Sequence, residues 1–312
     1  MDNIIFSANV VLPLLILMAL GYFVRHKGLL DGKSVSQCNG LVFKLFLPVL
    51  LFNNVRNSSV EELGAIDLFI FVFIVALSNF IIATIVIMII EKENPKRGVM
   101  IQGIARSNYA IFGIPLVTLL LPDGNVAVAS ILIAIVIPLY NVASVIVLTC
   151  FGTKNANMKQ VFLAILKNPL IIATALGMVA LFLDISFPSF IETSITNVAS
   201  VATPFSLFLL GASFELKSVE SDFKRILITV LGRLVISPAV ALTLGAFWGF
   251  RGVELACIMV IFGSPTAVSS FPMAETMGGD GKLAASIVVF TSTFCIFSIF
   301  AIIVILKTLQ LI

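Results

Sequence analysis

Apolar residues run through this chain in long blocks, interrupted only by short clusters of Gly, Pro, Asn and charge. Ten such blocks stand out: Ile4–Val24, Ser36–Asn53, Ile66–Ile90, Val99–Leu121, Val126–Thr149, Val161–Leu183, Ile195–Phe214, Ile226–Trp248, Val253–Met277 and Leu283–Leu306. Each approaches the ~20 residues that an α-helix needs to cross a hydrocarbon core of about 30 Å. Lipid offers no partner for a backbone N–H or C=O, so blocks of this length predict helices whose hydrogen bonds close internally. The pattern predicts an all-α integral membrane protein with ten transmembrane helices and no soluble domain between them. The first block lacks a basic leader and a small-residue cleavage site, so it reads as a retained helix rather than a signal peptide.

Composition agrees with lipid as the solvent. Of 312 residues, 60% are hydrophobic and 11% charged, with a mean hydropathy of +1.16; a water-soluble domain carries about 25% charge. The net charge of +3 matters less than its placement. Thirteen of the nineteen Lys and Arg lie in or beside the links that follow odd-numbered spans, and three lie on the opposite side. The remaining three, Lys44, Arg106 and Arg233, fall within spans. Basic links resist translocation, so the first link is expected in the cytoplasm and both termini outside, in a plasma (bacterial inner) membrane.

The two halves of the chain resemble each other. At an offset of 156 residues Pro13 meets Pro169, Ala19-Leu20-Gly21 meets Ala175-Leu176-Gly177, and Pro48 meets Pro204. At 157, Ser107 meets Ser264, Pro115 meets Pro272, and Asp123-Gly124 meets Asp280-Gly281. Five spans per half is an odd number, so the halves must be inverted relative to each other: residues 1–152 as the first repeat and 153–312 as the second. Inverted repeats are characteristic of secondary transporters, whose substrates bind near mid-membrane where the repeats meet.

The fourth and ninth spans are polar and interrupted by Gly and Pro at corresponding places: Gly103-Ile-Ala-Arg-Ser-Asn108 up to Pro115, and Gly263-Ser-Pro-Thr266 up to Pro272. A proline removes one helical bond and clashes with the turn before it. The freed backbone groups cannot face lipid and must face protein or a wet cavity. Two such helices crossing at their breaks would gather dipole ends with Ser107, Asn108, Ser264, Pro265, Thr266, Ser269 and Ser270, which are the candidate substrate-binding residues.

Asn108-x4-Gly113-Ile-Pro115 resembles the fourth-helix motif of the auxin efflux carrier family, which includes plant auxin carriers and bacterial organic-acid permeases. Pro265-Thr-Ala-Val-Ser-Ser-Phe with Ala274-Glu275 and Gly278-Gly-Asp280 is similar to the ninth-helix motif of its bacterial members. Asn39-Gly-Leu-Val-Phe-x-Leu-x-Leu-Pro48 and Pro204-x4-Leu-Leu-Gly211-Ala-Ser resemble its second and seventh helices, so the likeness covers essentially the whole chain. The resemblance implies a fold like that of bile-acid symporters and sodium/proton antiporters, with a scaffold and a transport domain holding the crossed helices. It further implies substrate contact at Asn108, a crossover at Pro115 and at Pro265 or Pro272, and a homodimer through the scaffold. The short link Asn155–Gln160 departs from the long cytoplasmic loop of the plant carriers, which argues against auxin and for a compact bacterial-type carrier.

Charge at membrane depth bears on the substrate. Arg106 adjoins the break, and a guanidinium offers paired donors matched to a carboxylate. Lys44, four residues before Pro48, either contacts substrate or extends its stem along the membrane, whereas Arg233 reads as structural. Against these three cations stands Glu275, so a small organic anion such as malate is the expected cargo. Both a snorkelling Arg106 and an Arg106–Glu275 pair are compatible with the sequence. Rival functions lack their chemistry. The single histidine, His26, lies in a link, and the seven aspartates fall at or beyond span ends, which removes intramembrane hydrolysis and the buried aspartates of cation antiporters. The four scattered cysteines have no metal spacing, and no metal, resident cofactor or nucleic-acid partner is expected. Sodium or proton coupling through carbonyls and hydroxyls fits the same picture, and antiport without an organic solute is the alternative function.

Overall fold

The computed structural model describes residues 2–57, 66–109, 116–117, 126–152 and 158–312. These residues are helical throughout, apart from short links and one isolated antiparallel bridge. In chain order the helices are α1 (Asp2–His26), α2 (Gly32–Leu41), the π-helix π1 (Val42–Phe46), α3 (Leu47–Arg56), α4 (Ile66–Ile90), α5 (Asn94–Ala105) and α6 (Val126–Gly152). There follow α7 (Met158–Lys167), α8 (Pro169–Phe182), α9 (Ser189–Ser213), α10 (Leu216–Leu231), the π-helix π2 (Gly232–Ile236) and α11 (Ser237–Trp248). The last three are α12 (Gly252–Gly263), α13 (Ser270–Thr276) and α14 (Gly281–Thr308).

Among the described residues six helices are long and apolar enough to cross a membrane: Gly32–Arg56, Ile66–Ile90, Leu132–Gly152, Ser189–Ser213, Val219–Trp248 and Gly281–Thr308. α7 and α8, bent by 58° at the break between them, make a seventh when taken as one span. The bend has a local cause. Pro169 has no N–H to continue α7, and the Asn168 side chain caps the new helix by accepting from the Leu170 N–H at 2.9 Å. Shorter apolar helices cover Leu12–His26 and Gly252–Gly263.

Both π-helices have the same origin. Pro48 and Pro238 stand two residues beyond the last residue of each bulge and cannot donate to the carbonyl four residues back. The chain widens instead, and Leu47 N–H reaches Val42 O while Ser237 N–H reaches Gly232 O. The bulges leave both spans continuous and turn Lys44 and Arg233 to different surroundings. Lys44 is exposed, whereas Arg233 is 0% exposed.

Packing sorts the helices into two groups. α1 lies along α9, and α3 along α8 and α9. The other group joins α4, α5 and α6, and joins α10, α11, α12 and α14. Close approach in the first group depends on glycine. A Cβ on Gly21 would overlap the Phe208 carbonyl oxygen, and one on Gly177 would stand 2.9 Å from the Phe52 carbonyl oxygen. These two contacts are one contact displaced by 156 residues at both partners. Arg56 further ties α3 to α9, donating to both Glu192 oxygens at 2.6 and 2.5 Å. In the second group Arg225 of α10 pairs with Glu91, with Glu93 at 2.9 Å and with Asp222 at 2.7 Å, and Lys96 lies 3.2 Å from Asp222. That network fixes the α4–α5 link against α10. The arginine beside it holds the Glu91 carboxyl down to about 2.

Candidate functional site

Two helices stop deep inside the protein. α5 ends at Ala105, and Arg106 continues in extended conformation (φ −90°, ψ 113°). α12 ends at Gly263, and Ser264 does the same (φ −64°, ψ 152°). The extended segments run antiparallel and bridge at Ser107 and Thr266. Asn108 N–H donates to Pro265 O at 2.8 Å, and Ala267 N–H donates to Arg106 O at 3.3 Å.

This exchange leaves carbonyls of the last helical turns without their usual donors. Ile261 would receive from residue 265, which is a proline. Ile104 would receive from Asn108 N–H, which has gone to Pro265. Phe262 would receive from Thr266 N–H, which donates to Thr291 Oγ1 at 3.3 Å. A buried carbonyl left unpaired costs about 1–3 kcal/mol. One side chain takes up these carbonyls. Arg233 donates through Nε to Ser264 O (2.8 Å), through one terminal nitrogen to Ile104 O and Ala105 O (3.1 and 3.3 Å), and through the other to Ile261 O and Phe262 O (2.8 and 3.1 Å). A guanidinium has five N–H donors, and all five are used.

Arg106 faces the other way, into a cavity. The cavity is bounded by Arg106–Tyr109 and Ala267–Ser269 from the two breaks, by Val136, Ile137, Tyr140 and Asn141 of α6, by Leu47, Leu50 and Leu51 of α3, and by Thr203 and Ser206 of α9. It lies between the two groups of helices. The space open to water centres is about 50 Å³, room for a few waters. Arg106 is 3% exposed and donates to Asn141 Oδ1 at 2.8 Å and Ser269 Oγ at 2.9 Å, with a further contact to Met273 Sδ. It has no carboxylate partner among the described residues, so pairing with Glu275 does not occur. Among the described residues no Asp or Glu lines the cavity. Another lining group, Asn108 Nδ2, is buried without a protein partner among the described residues. The result is a small, donor-rich, cationic pocket.

Of the residues singled out from sequence, Arg106, Ser107, Asn108 and Ser269 line this cavity. Ser264, Pro265 and Thr266 build it from behind. Ser264 Oγ bonds back to Val260 O at 2.5 Å, Pro265 supplies the carbonyl that holds Asn108, and Thr266 Oγ1 donates to Gly103 O at 2.7 Å. Ser270 adjoins a tighter void with Gln102 and Gly103, and Pro272 is buried inside α13. Lys44 stands on the exposed side of π1, away from the cavity. Pro115 lies outside the described residues. The lining residues Tyr140, Thr203 and Ser206 carry no sequence signal beyond a polar atom in an apolar run. Asn141 had such a signal, because it follows Pro138 by three residues in α6.

The chain belongs to the membrane transport protein family. The match runs over residues 6–303 and makes the protein a membrane transporter of the auxin efflux carrier kind. Across 92% of its length it is 26% identical to an uncharacterized transporter of Methanocaldococcus jannaschii, covering 94% of that protein. It is 25% identical to a Rhizobium meliloti protein named "Putative malonate transporter", with 91% of each chain covered.

Proposed function

We propose that this transporter is a secondary carrier of small dicarboxylates such as malate and malonate, working by alternating access at the paired breaks. The observation that carries the reading is Arg106, a buried guanidinium with no acid among the described residues as its partner or in the lining of its cavity. A carboxylate entering beside Asn108 would supply the charged acceptor that Arg106 lacks and take charge-assisted hydrogen bonds from its guanidinium. The name of the Rhizobium relative points to the same substrate class.

Ten spans in a 5+5 inverted repeat, residues 1–152 and 153–312, fit this reading. The Gly21–Phe208 and Gly177–Phe52 contacts support it, because one packing arrangement recurs at the repeat offset. α1, α3, α8 and α9 then form the scaffold, and the helices around the breaks form the moving part. The cavity is too tight for a dicarboxylate as it stands, so the two groups separate to admit one, alternately on each face. The first link lies in the cytoplasm on the distribution of Lys and Arg. Cation antiport without an organic solute is less well supported, because such antiporters use an ion-binding carboxylate and none lines the cavity among the described residues.

Uptake of radiolabelled malate and malonate into proteoliposomes, under imposed proton, sodium or voltage gradients, tests the reading. Saturable uptake of either acid, lost in Arg106→Met, is expected. Folded, inserted protein that moves neither would refute it.

A further inference from the structure

We propose that Arg233 is a tethered cation for the crossover: its guanidinium occupies the place that a bound or co-transported monovalent cation would take, so the carrier works without sodium. Each helix C-terminus carries roughly half a negative charge, and two such ends meet at the breaks, so together they present about one. The guanidinium supplies the matching positive charge at the point where they converge. Five carbonyl oxygens from two helices gather around it. Carbonyl oxygens gathered in this way form the kind of cage that strips and holds a hard monovalent ion. Here the cage is filled by a side chain that cannot leave.

The occupant arrives from outside the crossover. Arg233 stands on π2, in a helix other than the two broken ones, and is 0% exposed. Arg233 is thus a positioning residue. It touches the backbone of both breaks and is absent from the lining of the substrate cavity. Its charge also separates two roles. The dipole ends are neutralised from behind by Arg233, which leaves Arg106 free to face an anion in front. The inference adds the ion requirement to the proposed dicarboxylate function and rests on that reading only for its transport consequence.

The test uses full-length wild type, Arg233→Lys, Arg233→Ala and Arg233→Met, purified in detergent. Melting temperature and amide exchange over residues 103–109 and 261–268 are measured in sodium, potassium, guanidinium or choline salts at tens of millimolar and equal ionic strength. Wild type is expected to ignore the identity of the cation. Arg233→Ala should exchange at least about tenfold faster at both breaks. Guanidinium, and to a lesser degree sodium, should restore its protection and melting temperature where choline does not. Arg233→Lys should fall between the two. Wild type stabilised by sodium over choline would overturn the proposal, as would an Arg233→Ala protein that exchanges like wild type or answers all four salts alike. If Ala and Met variants do not fold, a folded Lys variant supports the tethered charge and an unfolded one overturns it. Uptake in proteoliposomes completes the test. Wild-type flux should be equal with and without sodium, and a sodium-driven wild type would overturn the transport half. A wild type that moves neither malate nor malonate, but shows the stated melting and exchange behaviour, would refute the dicarboxylate reading and leave the role of Arg233 intact.

Discussion

Two buried arginines at the paired breaks show opposite solutions to the same cost. Arg233 uses all five donors on backbone carbonyls of both broken helices. Arg106 is as deeply buried, yet its hydrogen bonds go to Asn141 and Ser269, with Met273 sulfur beside it. Isolated charge in a low-dielectric interior costs several kcal/mol unless it is compensated by good partners. Arg233 is compensated by backbone carbonyls within the fold, whereas Arg106 has only neutral side-chain partners among the described residues. The difference teaches that burial alone does not mark a functional charge. What marks it is the mismatch between burial and partners.

Exchanging each arginine for a neutral side chain of similar length should break the comparison most sharply. Arg233→Met leaves five carbonyls to find new donors, and an expected loss of about 3–5 kcal/mol should appear as a large fall in melting temperature in detergent. Arg106→Met should lower dicarboxylate uptake by about a hundredfold or more, the scale of a lost charge-assisted pair, while melting stays level or rises. Equal melting losses for the two variants would erase the distinction.

Smaller changes refine it. Asn141→Ala removes a partner of Arg106, and Asn108→Ala removes an unpartnered amide donor at the cavity wall. Each should cost about tenfold in uptake, the worth of one hydrogen bond, with little change in melting. The mildest effect concerns a third arginine, Arg225, whose partners are carboxylates. Glu91 is held at about 2, well below its ordinary value of 4.5. Its contribution to stability is therefore complete above about pH 4.5 and is lost as pH falls from there through about 2. Melting measured from pH 7 downward should show this loss in wild type, and a shallower one in Arg225→Gln. The clip on Arg233, made to uncharged carbonyls, should show no such step.

Much of the fold was legible in the chain. The blocks around Ile66–Ile90 and Leu283–Leu306 coincide with continuous helices because apolar length alone decides a span. The breaks were legible as well, since Pro265 and the polar run Arg106-Ser107-Asn108 cannot complete a helix in lipid. The cavity was legible only in part. Arg106, Ser107, Asn108 and Ser269 were named from sequence and line it, but Thr203, Ser206 and Tyr140 come from other helices whose rotation no local pattern fixes. Lys44 and Arg233 look alike in sequence, each a cation a few residues before a proline. Each bulge lies on a helix with its own neighbours, and those neighbours put one cation outside and the other at the centre.

The sequence by itself determined that this chain lives in lipid, where its helices run, that two of them break, and which family it joins. Those properties follow from hydropathy, proline and glycine, which act over a few residues along one segment. Only the tertiary structure decided which cation bonds the carbonyls of the breaks and which one faces the cavity. That choice depends on which carbonyls lose their donors when two distant segments, Arg106–Asn108 and Ser264–Ala267, pair with each other. It depends also on which third helix presents a guanidinium at the gap.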